Sequence, residues 1–293
     1  MSSDKPIVSV VIPVHDRPEF LRRALTSVAA QTLADFECVV VDDGSTERLE
    51  SVVEAFGGRF RYIRRDERGG PAAARLTGYA HVRADIVAKL DSDDELLPHT
   101  LARAVELLRE HPDVGAVIGL AEIDGRLPLR VPGGRHIVDP ATYVRRTPPP
   151  FDVMDVFRAA VVREWVDELP SFYKQEFAFK LVLGLRHSVL YVDEVWDVHH
   201  SDAPDRLSRD FDDPRWLPDV RLFVEHFRPR LGTQPCLPLD QGLAHMHYLL
   251  LRKGHRREAR LVGEWLHERG VGRWEELGIL LRTRYRDRRS YRF

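Results

Sequence analysis

"IVAKLDSDDELLP", residues Ile86 to Pro98, runs an apolar segment into four carboxylates within five positions: Asp91, Asp93, Asp94 and Glu95. Two carboxylates about 5 Å apart repel by roughly 1–3 kcal/mol at effective dielectrics between water and a protein surface. A folded chain keeps such a crowd only if the acids splay into solvent or something positive sits among them. Capping the helix expected after Pro98 would use one or two acids, because carboxylates favour a helix N-terminus. The rest read as a ligand site at the tip of a buried strand. A hard divalent cation fits, since Mg²⁺ takes oxygen donors, typically one or two carboxylates plus substrate phosphates.

Outward from that stretch the chain alternates strand-like and helix-like segments. "IVSVVIPV" (Ile7–Val14) is a continuous apolar, β-branched run, as expected of a strand buried on both faces. "RPEFLRRALTSVAAQ" follows with Phe20, Leu21, Leu25 and Val28 at helical spacing and Pro18 suited to a first turn. "FECVVVDD" predicts a second strand, "TERLESVVEAF" a helix, "RFRYIRR" a third strand and "GGPAAARLTGYAHV" a helix. "DIVAKL", "LPHTLARAVELLREH" and "VGAVIGLAEI" continue as strand, helix and strand. Such alternation predicts an α/β fold, a mostly parallel sheet covered by helices on both sides. Ligands of open α/β sheets sit outside the carboxyl ends of the strands. "PVHDRP", "DDGST" and "DSDDE" fall at three such ends, so a parallel sheet would gather them on one rim.

After Asp124 the rhythm breaks into loop-rich stretches, "DGRLPLRVPGGRHIVDP" and "RRTPPPFD". "FRAAVV" reads as a strand, "YKQEFAFKLVLGLRH" as a helix, "SVLYVDEV" as a strand and "DVHHSD" as a polar loop. From about Asp240 two helical stretches suggest an antiparallel pair, a C-terminal helical appendage. The expected division is 1–124, 125–210 as the second half of the same domain, and 211–293 as the helical region with a basic tail.

A 293-residue chain with 43% hydrophobic and 31% charged residues describes a globular protein. Its net charge of −2 argues against a nucleic-acid binder, whose footprint is a basic surface. The tail is locally basic, with Arg282, Arg284, Arg286, Arg288, Arg289 and Arg292 against Asp287 alone. That composition suits a solvated end, an anionic membrane or an acidic acceptor. Two cysteines, Cys38 and Cys236, make neither a metal-ligand spacing nor a disulfide framework, which points to a reducing cytoplasm. No secretory signal and no stretch of transmembrane length is expected, so membrane-linked substrates would be met peripherally. A homodimer built on the helical appendage stays open.

Four segments, "VSVVIPVHDRPEFLRRALTSVAAQT", "FECVVVDDGST", "GGPAAARLTGY" and "DIVAKLDSDDELLP", resemble in order and spacing the family 2 inverting glycosyltransferases. The resemblance implies a GT-A fold, a nucleoside-diphosphate sugar donor (UDP by default, dTDP or GDP open), and Mn²⁺ or Mg²⁺. It places Pro13, Val14 and Asp16 against the base and ribose, and Asp43 on the base. Arg75 would lie near the nucleotide. Asp91, Ser92 and Asp93 match the acidic D-x-D signature, with Asp91 toward the ribose and Asp93 on the metal. Two departures bear on nucleotide preference: His15–Asp16 stands where Tyr-Asn is common, and Leu76 where Asn is common.

In the second half, "QEFAFKLVLGLRHSVLYVDEV" resembles the family's acidic-pair helix, with Glu176 at the first acidic position and Phe177 at the second. Inverting transfer needs one carboxylate to take the acceptor's proton, and Glu176 is the candidate base. His200, or else His199, matches a histidine that holds metal or diphosphate. The acceptor stays open among saccharide, lipid-linked sugar, peptide and small molecule. The alternative function is a non-catalytic nucleotide-sugar or partner-binding module on the same fold. A dehydrogenase is disfavoured because no G-x-G-x-x-G follows the first strand.

Overall fold

The computed structural model describes residues 5–126, 134–145, 153–170, 176–200 and 217–272. They divide into two compact units. The first comprises Met1–Val138, Pro150–Tyr173 and His187–Arg206, and the second Asp139–Pro149, Lys174–Arg186 and Leu207–Phe293.

The first unit is a sheet with helices. Its strands are β1 (Val8–Val14), β2 (Phe36–Asp42), β3 (Phe60–Arg64), β4 (Ile86–Lys89), β5 (Glu95–Leu96), β6 (Val114–Ile123), β7 (His136–Val138), β8 (Val153–Arg158) and β9 (Ser188–His199). The spatial order is β3-β2-β1-β4-β8-β6-β9-β5, with β7 also paired to β9. β1, β2, β3, β4, β6 and β9 share one direction, and β5, β7 and β8 run against them. The mostly parallel sheet read from the sequence is therefore present. β1 and β2 are buried at every position, which is why they read as unbroken apolar runs.

The helices of this unit are α1 (Pro18–Ala29), α2 (Glu50–Glu54), α3 (Pro71–Ala80), α4 (Thr100–Glu110) and α6 (Ala159–Glu168). α1 and α4 bury Leu21, Leu25, Leu101 and Leu108 in one core with Val10, Ile12 and Ala88. α3 packs on the other face, where Ala74 meets Val39 and Val41. That approach is close: a Cβ at Gly78 would lie 2.4 Å from Val11 Cγ1.

The second unit holds α5 (Pro140–Tyr143), α7 (Glu176–Arg186), α8 (Leu217–Leu231), α9 (Leu237–Arg252) and α10 (Arg256–Glu268). α8 and α10 pack through Phe223 and Trp265, whose ring centroids lie 6.2 Å apart.

Several local expectations are corrected. "FRAAVV" is not a strand: β8 ends at Arg158 and α6 starts at Ala159. Arg158 anchors the corner, donating to the carbonyls of Val114, Leu108 and His111. Helix begins at Leu217, upstream of Asp240, and its apolar face of Val220, Phe223, Val224 and Phe227 is buried. The loop-rich stretch after Asp124 contains β7 and α5, and β9 extends through Asp197–His199, read as loop. β7 and α5 are short, and the end of β9 takes its hydrogen bonds from distant strands, so local periodicity is weak there.

Candidate functional site

The carboxyl ends of β1, β2 and β4 lie side by side, because Val14 pairs with Asp42 and Val11 with Lys89. Each ends in a polar loop, and hydrogen bonds join the loops. In the β1 loop Asp16 adopts φ 52°, and its carboxylate accepts from Thr46 N–H at 2.6 Å and the Thr46 hydroxyl at 3.1 Å. Its own N–H donates to Ser45 Oγ. After β2, Asp43 is 3% exposed and accepts from Gly69 N–H at 3.0 Å and Gly70 N–H at 2.7 Å, with Arg65 Nε at 3.0 Å. Gly70 has φ 88°, a conformation that favours glycine, and opens α3 directly over this carboxylate. Asp43 thus clamps the entry to α3, and α3 in turn presents Arg75.

The carboxylates after β4 meet positive groups of the chain itself. Arg75 Nη2 lies 2.5 Å from Asp91 Oδ1, and Arg17 Nη1 3.2 Å from Asp93 Oδ2. Arg23 donates to the Asp93 carbonyl at 2.7 Å and stands 3.7 Å from Glu95. His199 Nε2 is 3.5 Å from Asp94 Oδ2 and 2.9 Å from Asp197 Oδ2. His200 Nε2 is 2.7 Å from Glu95 Oε1. The histidines arrive because β5 pairs antiparallel with the end of β9, setting Glu95 opposite Val198 and Leu96 opposite Asp197. Leu97 N–H donates to the Trp196 carbonyl and extends that seam.

Asp93 and Asp94 are 6% and 3% exposed, and Ser92 between the acids is buried too. Charges held that deep in a protein are paired or bind metal. Pro13 and Val14 lie in β1, and the Val14 side chain belongs to the apolar core beneath the rim. Deeper in the sheet, Lys89 and Asp155 pair at 3.4 Å. Burial pushes the Asp197 carboxyl above the ordinary carboxylate range, although the His199 hydrogen bond opposes it.

The residue types suit a hard cation, with Asp93 as an oxygen donor and His200 as a nitrogen donor. Among the described residues no group of three or more His, Cys, Asp or Glu forms a metal cage. Such donors suit an ion that takes one or two ligands from protein and the rest from phosphate and water, as Mg²⁺ does.

Glu176 opens α7 in the second unit, and its side chain is outside the described residues. Phe177 stacks on Phe223 of α8 at 5.4 Å, and its ring occupies the place a Cβ on Gly242 of α9 would take. The aromatic at the second acidic position is thus a packing residue for the helices that follow. Arg17, Arg23 and Asp197 were missed as rim residues. Arg17 gave a signal, a cation inside the polar "PVHDRP" loop, whereas Arg23 and Asp197 reach the rim only through tertiary structure.

The mostly parallel sheet with helices on both faces defines an α/β protein of GT-A type. The profile of "Glycosyl transferase family 2" matches residues 9–169, more than half of the chain, and the chain belongs to that family. Over 106 residues it is 43% identical to the succinoglycan biosynthesis protein ExoW of Rhizobium meliloti, covering 34% of this chain and 33% of that protein. Over 117 residues it is 37% identical to the O-antigen biosynthesis protein RfbC of Myxococcus xanthus, covering 38% and 9%. The chain thus spans well under half the length of these relatives. The crystal structure of S. aureus TarS 1-349 in complex with UDP-GlcNAc is similar in fold, with TM-score 0.59 and 17% identity over 88% of this chain and 71% of that one. TarS 1-349 alone gives TM-score 0.56 and 15% identity over 90% of each chain.

Proposed function

We propose that the chain is a metal-dependent inverting glycosyltransferase that takes its sugar from a nucleoside-diphosphate donor, UDP-linked by default. The observation that carries the reading is the closed polar rim, in which Asp16 after β1, Asp43 after β2, Asp91 and Asp93 after β4, and Arg75 of α3 are joined at the carboxyl ends of the strands. Family membership supports it, as does a similarly folded neighbour described in complex with UDP-GlcNAc.

In this reading Asp43 shapes the nucleotide pocket through Gly69 and Gly70, and Arg75 orients Asp91 toward the ribose. Asp93 and His200 would hold Mn²⁺ or Mg²⁺, which when bound supplies Lewis acidity to the leaving diphosphate. Glu176 takes the proton of the acceptor hydroxyl. The acceptor oxygen forms its bond to the anomeric carbon as the bond to the diphosphate oxygen breaks, the electron pair leaving with the diphosphate. The chemistry inverts the anomeric centre in one displacement. Both cysteines are free and buried, which fits a reducing cytoplasm. No helix among the described residues is long and apolar enough to cross a membrane.

The test is release of free nucleoside diphosphate from UDP-sugars in the presence of Mn²⁺ and a panel of acceptors. Glu176→Gln is expected to leave donor affinity intact and to lower release by 10²-fold or more, the low end for losing a general base being about 10². Unaltered release in Glu176→Gln would remove the base from the scheme. Donor binding without release for every acceptor would favour the non-catalytic binding module.

A further inference from the structure

The second unit carries a basic groove that the transfer chemistry does not use. It lies between α8 and α10, holds about 590 Å³, and is lined by Arg221, Val224, Glu225, Arg256, Arg257, Arg260 and Leu261. Four arginines therefore face one acid over an apolar floor. None of the four forms an ion pair with a described residue.

Their placement works against the stability of the isolated helix. Arg256 and Arg257 occupy the first turn of α10, where the helix dipole is already positive and cations are unfavourable. Arg256 and Arg260 are four apart on one face, a like-charge spacing that destabilises a helix. An anion seated in the groove would reverse the sign of both effects. The end of α9 adds Arg252, the turn into α10 adds Lys253, and Leu251 before them is 55% exposed. Leu251 and Ile137 are the two exposed large hydrophobic residues among those described. A leucine presented to solvent within a run of cations matches a surface that is anionic outside and apolar just beneath.

We propose that the groove of Arg221, Arg256, Arg257 and Arg260, together with Leu251 and Arg252 at the α9 end of the turn into α10, docks on an anionic lipid surface. A soluble polyanion would use the arginines equally well but gains nothing from Leu251, so the exposed leucine favours lipid. The inference is independent of the transferase reading, because it needs neither donor nor turnover.

Flotation of the full chain with vesicles tests it. Binding is expected to phosphatidylcholine vesicles containing phosphatidylglycerol and not to phosphatidylcholine alone, and to weaken as salt shortens the Debye length. Each surface cation near anionic lipid is worth roughly a factor of five. Arg256→Gln with Arg260→Gln should therefore weaken binding about thirtyfold. Both residues are exposed, so an unchanged melting temperature will show that the loss is not unfolding. Leu251→Ser should weaken vesicle binding several-fold and leave binding to inorganic polyphosphate unchanged. The arginines at 282–292 remain in every variant, so a loss reports on the groove. Full vesicle binding by the double variant overturns the proposal. So does a Leu251→Ser protein that binds vesicles as well as the parent while polyphosphate competes fully, the outcome expected of a soluble-polyanion site.

Discussion

Asp42 and Asp43 are neighbours in the chain with different duties. Asp42 is fully buried, and it accepts from Ser45 N–H at 2.8 Å, the Tyr62 hydroxyl at 2.5 Å and Arg64 at 2.9 Å. Burial alone would raise its pKa, but these partners outweigh it and hold the carboxyl below the ordinary range. A depressed folded pKa gives stability that is present above the unfolded value, near 4, and lost as pH falls through the folded one. Asp42→Asn should therefore cost about 3 kcal/mol at pH 7, the scale of breaking one side of a buried charge pair. Urea unfolding should show that deficit shrinking as pH drops below about 4. A deficit independent of pH would contradict the charge-based account. At this scale the sequence is an incomplete guide. "DDGST" announces two acids at a strand end, yet their partners, Tyr62 and Arg64 for Asp42 and Gly69 and Gly70 for Asp43, are set by tertiary structure.

Elements bring those residues together. α3 delivers Arg75 to Asp91 because it lies hard against β1, with Gly78 at the contact. Gly78→Ala would insert a methyl where Val11 already stands and should destabilise by about 1–3 kcal/mol, the usual cost of overpacking. Urea denaturation will measure it, and a neutral substitution would mean that α3 shifts freely, which the rim geometry forbids. The parallel strands were legible because full burial makes β1, β2 and β4 read as apolar runs. β5 was not, since two residues become a strand only by pairing with β9, about a hundred positions away. That seam sets His199 and His200 against the acids. Phe177 is the converse case: a departure from the acidic pair that is visible in the sequence, explained only by its packing on Phe223 and Gly242.

At the scale of the whole molecule, the alternation of strands and helices foretold the first unit. In the second unit α7, α9 and α10 were visible in the sequence, whereas α8 was not, because it alternates charged and apolar residues and contains Pro229. A ligand that binds only the folded chain stabilises it by RT ln(1 + [L]/Kd), about 2.7 kcal/mol at a hundred times Kd. For a chain of this size that corresponds to a rise in Tm of about 4 °C. The measurement that bears most directly on the account is the thermal shift produced by UDP-sugars with Mn²⁺, with chelator, and in Asp93→Ala. The account predicts a rise with Mn²⁺ that vanishes under chelation and in Asp93→Ala. An equal rise in all three conditions would contradict it.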